Sequence, residues 1–181
     1  MNAVIDATTL AYLITPDGRA PIDPATGEQV SRAKDRIEHL IVQLDREKTT
    51  LIVPSPALSE VLVLADDAGP AMLDRISRSS RIKVADFDVR AAVEVAAMTR
   101  EALRKGDKFD GSDAPWQKVK VDRQIIAIAR VNSASVIYSD DRNLAKFAER
   151  LGLSVVPLRA LPLPEAPEAD LFSNLEPQSP D

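Results

Sequence analysis

The stretch MNAVIDATTL, residues Met1–Leu10, constrains this chain more than any other. Ala3, Val4 and Ile5 form an apolar run too short for a helix, and it ends in a carboxylate, Asp6. Thr8 and Thr9 follow, after which Leu10, Ala11, Leu13 and Ile14 resume an apolar pattern of helical spacing. Such a run reads as a buried strand entering a helix. In open α/β sheets, ligands bind beyond the carboxyl ends of the strands, and Asp6 lies there. An Asp before a helix is more often a cap for a backbone N–H. Asp6 therefore counts as chemistry only if other acids occupy matching places.

The rest of the chain repeats the strand-then-helix pattern. Leu51–Val53, Ile82–Val84, Val136–Tyr138 and Ser154–Val156 are short apolar runs that read as further buried strands. Between them, Ile37, Leu40, Ile41 and Leu44 fall at i, i+3, i+4 and i+7, one apolar helix face. Leu58, Val61, Leu62 and Ala65 predict a helix after Pro54-Ser55-Pro56, and Gly69-Pro70 is expected to break it before Met72, Leu73 and Ile76 continue. Val89, Ala92, Val93, Ala96 and Leu103 predict a helix capped by Asp88. Leu144, Phe147, Ala148 and Leu151 predict the last helix, stopped at Gly152. Alternating strands and helices imply a parallel sheet covered on both faces.

Composition limits the alternatives. The 181 residues suffice for one domain, and 45% apolar content suits a globular fold. No apolar run approaches the roughly 20 residues of a membrane span. Nor does the N-terminus carry a basic region followed by a long apolar segment, so a cytoplasmic location is the expectation. With no Cys, thiolate chemistry and disulfides are excluded. The one His, His39, lies beside the apolar stripe of its helix and reads as a surface residue, which leaves His-dependent triads little support. A net charge of −5 argues against a generally basic nucleic-acid coat, though divalent cations can supply local positive charge.

Two long loops are expected. Thr15–Ser31 carries three Pro and two Gly without periodicity, and Gly106–Gln117 leads towards the sole Trp, Trp116. Loops of this length in compact domains tend to serve sites, so both are expected to border the acidic edge. Lys105, Lys108, Lys118 and Lys120 surround the second loop with Phe109 and Trp116 among them. That mixture suits a single nucleic-acid strand. The plainer reading, a solvated loop with Trp116 anchoring it to the core, is preferred. From Pro157 onward Pro and acidic residues dominate, so residues 158–181 read as a mobile tail after a domain of residues 1–157.

The remaining acids supply the company that Asp6 needs. Glu60 lies among apolar residues early in its helix, where it is either an exposed first-turn Glu or a site acid. Asp122 falls one turn before Ile125 on the apolar side of the helix through Ile128 and Ala129, and it needs a partner there. Asp141 follows strand Val136–Tyr138 within Ser139-Asp140-Asp141. Carboxylates gathered at one edge repel each other, which strengthens the case for a cation. Oxygen ligands without Cys or His favour Mg²⁺ or Mn²⁺. Such ions activate water for phosphodiester cleavage.

On these residues the chain resembles the PIN-domain ribonucleases, and among them the VapC-type toxins of toxin–antitoxin pairs. The resemblance covers roughly residues 1–157 and rests on VIDATTL with Asp6, PSPALSEVL with Glu60, VDRQIIAIA with Asp122 and YSDDRNL with Asp141. It implies a single PIN-like α/β domain with a five-stranded parallel sheet in the order 3-2-1-4-5. It also implies a Mg²⁺- or Mn²⁺-dependent endoribonuclease with Asp6, Glu60, Asp122 and Asp141 as metal ligands and catalytic acids. Thr8 and Ser139 match small polar positions that orient substrate or an acid, and Asp140 is a second ligand or a helix cap. The partners implied are an RNA substrate, an antitoxin and a second copy in a homodimer. The long loops and the acidic tail depart from compact VapC toxins. A haloacid-dehalogenase-type phosphatase would need an Asp where Thr8 stands, and receiver domains place their acidic pair early. The alternative that survives is a catalytically silent PIN-like module that binds RNA or protein.

Overall fold

The computed structural model describes residues 1–14, 20–23 and 25–165. Its centre is a five-stranded, wholly parallel sheet in the order β3-β2-β1-β4-β5, as expected. The strands are β1 (Asn2–Ile5), β2 (Thr50–Pro54), β3 (Ile82–Ala85), β4 (Val136–Tyr138) and β5 (Ser154–Val156). Strand β1 is the middle of the sheet, pairing Ala3 with Leu51 on one side and with Val136 on the other. Ala3, Val4 and Ile5 are fully buried because helices cover both faces, which is why the run shows no polar alternation.

Seven α-helices link the strands among the described residues: α1 (Ala7–Ile14), α2 (Ala33–Arg46), α3 (Ser55–Ala65), α4 (Gly69–Arg78), α5 (Val89–Arg104), α6 (Trp116–Val131) and α7 (Arg142–Arg150). Helix α2 buries Ile37, Leu40 and Leu44 as its spacing predicts. Helix α6 is buried nearly all round from Asp122 to Ala129, the pattern of a helix enclosed by its neighbours. Gly152 ends α7 at φ +80°, a left-handed conformation open to glycine, with Leu153 N–H returning to the Ala148 carbonyl. Among the described residues, no helix is long and apolar enough to cross a membrane.

The break after α3 comes at Asp66, at φ +45°, and Gly69-Pro70 begins α4, with Pro70 in the first turn where its missing N–H costs nothing. Helix α5 buries Ala91, Met98 and Ala102, whereas Val89 and Val93 on the expected face are exposed. Ala91 is turned inward in part by the Asp88 cap, whose Oδ1 accepts the Ala91 N–H at 2.9 Å. Helix α6 starts at Trp116, directly after Pro115, so the expected loop to Gln117 ends two residues sooner.

Much of the first long loop is described. Its residues Ile22 and Gln29 pair in an antiparallel bridge, while residues 15–19 and 24 lie outside the described set. The chain beyond β5 stays on the domain at first. Leu158–Ala160 is a short 3-10 turn, Leu158 and Leu161 are buried, and Arg36 donates to the Leu161 carbonyl. The greater part of the expected tail, residues 166–181, lies outside the described residues.

Candidate active site

The parallel order brings the carboxyl ends of β1 and β4 side by side, and with them Asp6 and the Ser139-Asp140-Asp141 segment. Asp6 is both a cap and a site residue. Its Oδ1 accepts the Thr9 N–H at 2.8 Å, while its main-chain N–H extends the β1–β4 pairing to the Tyr138 carbonyl. Its Oδ2 accepts the Ser139 hydroxyl at 2.5 Å. Burial pushes the Asp6 carboxyl above the usual range, opposed by the bonds from Ser139 and Thr9.

Asp141 is built the same way at the next helix. Its Oδ1 caps α7 through the N–H groups of Asn143 and Leu144, at 2.8 and 3.0 Å. Its Oδ2 meets the Lys118 ammonium at 2.5 Å. The cap holds one oxygen and leaves the other directed at the cleft, so capping and chemistry are compatible roles for one carboxylate.

Asp122 reaches the same place from α6. It is buried, as its position on the apolar side predicts, and its Oδ1 lies 3.3 Å from Lys118 Nζ. Burial, only partly offset by Lys118, and the negative charges of Asp141 and Asp6 push its pKa up to about 6. Burial raises Asp141 too, but hydrogen bonds from Lys118 and the α7 amides, with the Lys118 charge, outweigh it and hold that carboxyl below the usual range. For Lys118 burial would lower the pKa, and the two carboxylates outweigh it and raise it.

Asp6, Thr8, Glu60, Lys118, Asp122 and Asp141 line one cleft of about 270 Å³. Glu60 is solvent-exposed at the rim, not buried among its apolar sequence neighbours, because on a helix adjacent residues lie on different faces. Thr8 is also exposed there. Ser139 is buried behind the cleft, orienting Asp6 with its hydrogen and accepting the Asp141 N–H at 3.1 Å. Asp140 turns elsewhere. Its Oδ1 accepts the Leu158 N–H at 3.0 Å, so it neither lines the cleft nor caps α7. A larger apolar groove of about 680 Å³, between α1 and the α3–α4 region, adjoins the cleft at Thr8 but lacks its acids.

The second loop is pinned beside this site. Arg123, 1% exposed, sets its guanidinium 5.5 Å from the ring centres of both Trp116 and Phe147 and donates to the Lys108 carbonyl at 2.7 Å. Trp116, half-buried, packs edge-on against Phe109 at 5.9 Å and lies against Arg123, outside the apolar core. Of the expected loop only Gln117 lines the cleft, and it belongs to α6, as does the next residue, Lys118.

Lys118 is the residue that sequence reasoning assigned to a basic patch and not to the acidic site. Its spacing of four from Asp122 was the available signal, since i and i+4 share a helix face. Among the described residues, no three acidic, His or Cys side chains converge closely enough to hold a metal ion as they stand. Two of the acids grip an ammonium instead. The donors lining the cleft are carboxylate oxygens, a chemistry that suits hard cations such as Mg²⁺ or Mn²⁺.

No protein-family model and no curated protein matches the sequence. Solved structures do match. A chain of VapBC2 from Rickettsia felis, bound to a DNA fragment from the promoter, aligns with a TM-score of 0.59 and 15% identity over 87% of this chain and 98% of that one. A chain of DNA-bound VapBC from Salmonella typhimurium aligns with a TM-score of 0.55 and 19% identity, again over 87% and 98% of the two chains. With the strand order 3-2-1-4-5 and helices on both faces, the chain has a PIN-domain, VapC-like fold.

Proposed function

We propose that this protein is a Mg²⁺- or Mn²⁺-dependent endoribonuclease and the toxin partner of an antitoxin. The observation that carries the reading is the meeting of Asp6, Asp122 and Asp141, from three separate segments, in one cleft with Glu60 at its rim. The likeness in fold to chains of VapBC complexes supports both the activity and the antitoxin partner.

Asp122 and Asp141, through the oxygens that now face Lys118, would hold the ion together with Asp6, and Glu60 would complete the set from the rim. When bound, the ion supplies Lewis-acid activation of water and stabilises charge at the scissile phosphate. One of these acids would assist deprotonation of the attacking water. Ser139 keeps Asp6 oriented and ionisable by donating to it. Thr8, exposed on the wall of the same cleft, would donate to a phosphate oxygen of the substrate.

The test is cleavage of a mixed cellular RNA by the purified protein with Mg²⁺, Mn²⁺ or EDTA. Cleavage with either ion that is lost in EDTA and in Asp6→Asn and Asp141→Asn supports the reading. Intact RNA under all conditions would leave the second reading, a silent RNA- or protein-binding module. That reading has one observation in its favour, the Lys118 ammonium already held between Asp122 and Asp141.

A further inference from the structure

The position of Lys118 has a consequence for how the site would load. One ammonium bridges two carboxylates from different elements, Asp122 on α6 and Asp141 at the cap of α7. The oxygen it takes from Asp141 is the one the α7 amides leave free, because Oδ1 already receives two N–H bonds. A divalent ion held by these acids needs those same lone pairs, at about 2.0–2.1 Å for Mg²⁺. An ammonium and a divalent ion cannot share them at contact distance without strong repulsion.

Lys118 is also free to leave. It sits in the first turn of α6 on a flexible four-carbon stem, its side chain is 46% exposed, and the cleft it occupies is open. Arg123, five positions along the same helix, shows the contrast: its buried guanidinium lies between two aromatic rings and is not available for exchange. Lys118 lies four residues before Asp122, so an outward swing keeps the ammonium at the mouth of the cleft.

We propose that Lys118 is a tethered counter-ion that fills the divalent cation's place in the metal-free site and must leave when the cation binds. This rests on the metal dependence argued under the proposed function. Ion binding is then an exchange of one cation for another. The resting protein avoids an unopposed acid pair, and the cleft binds metal less tightly than its acids alone would.

The test is direct calorimetric titration of Mn²⁺ into the metal-free full chain, without RNA, for wild type, Lys118→Met, Lys118→Gln and Lys118→Arg. Removing the competing charge should tighten Mn²⁺ binding roughly tenfold in the Met and Gln variants, within the usual span of coupling between two bound groups. Lys118→Arg keeps the charge and should bind Mn²⁺ like wild type. In EDTA the Met and Gln variants should melt below wild type, and saturating Mn²⁺ should erase that difference. Mn²⁺ binding in wild type that is no tighter in either neutral variant would overturn this proposal and leave the nuclease reading standing. No Mn²⁺ binding by any of the four proteins would overturn both.

Discussion

The Ser139 hydroxyl donates to Asp6 Oδ2 at 2.5 Å while accepting the Asp141 N–H at 3.1 Å, so one buried side chain ties together the acids that end two neighbouring strands. A buried carboxylate without such a donor carries the full cost of desolvation. The bond therefore stabilises the ionised form of Asp6 as well as its direction.

Ser139→Ala should destabilise the protein by about 1–3 kcal/mol, the usual cost of leaving a buried polar group short of a partner. Urea unfolding at neutral pH measures this. Because the Ser139 bond acts to lower the Asp6 pKa, its loss should push that carboxyl higher still, which carbon-detected titration of the Asp6 carboxyl would follow. An unchanged Asp6 titration in Ser139→Ala would remove Ser139 from the site and leave it a strand-end residue.

Asp122 predicts a specific pH dependence. Its pKa rises from 3.8 to about 6 on folding, so between those values the folded state binds more protons than the unfolded state. Stability contributed through this group falls as pH rises through the window, and the loss is complete above it. A shift of this size corresponds to something on the order of 3 kcal/mol. Asp6 and Asp140 shift in the same direction, so the comparison must be with Asp122→Asn and not with wild type alone. In EDTA the variant should lose less stability than wild type between pH 4 and pH 7, and at pH 7 it should be at least as stable. Parallel pH curves for the two proteins would refute the raised pKa.

The sheet was legible because a strand buried on both faces must be a short apolar run, and a run such as Ala3–Ile5 cannot be mistaken for a surface strand. Asp6 and Asp141 were legible for a related reason: strand-end acids in a parallel sheet share an edge whenever their strands are neighbours. Glu60 stayed open between an exposed helix residue and a site acid because sequence neighbours do not say which face of a helix a residue takes, and it is exposed on the wall of the cleft. Helix α5 shows the same difficulty, since two overlapping apolar stripes compete and only tertiary packing selects Ala91, Met98 and Ala102. Lys118 is not legible as a site residue while the loop is expected to run to Gln117, which leaves it at the loop's edge. Helix α6 starts at Trp116 instead, which puts Lys118 in its first turn, four residues before Asp122 and on the same face.

Arg123 predicts a local effect away from the acids. Its planar guanidinium faces Trp116 and Phe147 and reaches both the Lys108 carbonyl and Thr99 Oγ1. Lysine replaces the planar fork with a single ammonium, which cannot face both rings while reaching both acceptors. Arg123→Lys should cost roughly 1–3 kcal/mol, typical of a disrupted buried hydrogen-bond network. Hydrogen exchange should speed up at the Phe109 and Gly111 amides, which bond to Asp107, before it changes in β2. Uniform acceleration across the domain would instead make Arg123 a general core residue.

Depth in the cleft should separate a buried metal ligand from one at the rim. A divalent ion that binds only the folded state adds RT ln(1 + [L]/Kd), roughly 2.7 kcal/mol at a hundredfold excess over Kd. Wild type should therefore melt higher in Mg²⁺ or Mn²⁺ than in Na⁺ at matched ionic strength. Glu60→Gln removes an exposed charge that makes no hydrogen bond or ion pair among the described residues, so its metal-free stability should stay within about 0.5 kcal/mol of wild type. Its metal-induced rise should shrink but persist, because Asp6, Asp122 and Asp141 remain. Asp122→Asn removes a ligand from the interior of the cleft, so the rise should nearly vanish, together with RNA cleavage. If the two variants respond to Mn²⁺ alike, the cleft does not rank its acids by depth. If neither differs from wild type, the ion binds somewhere other than between Asp6, Asp122 and Asp141.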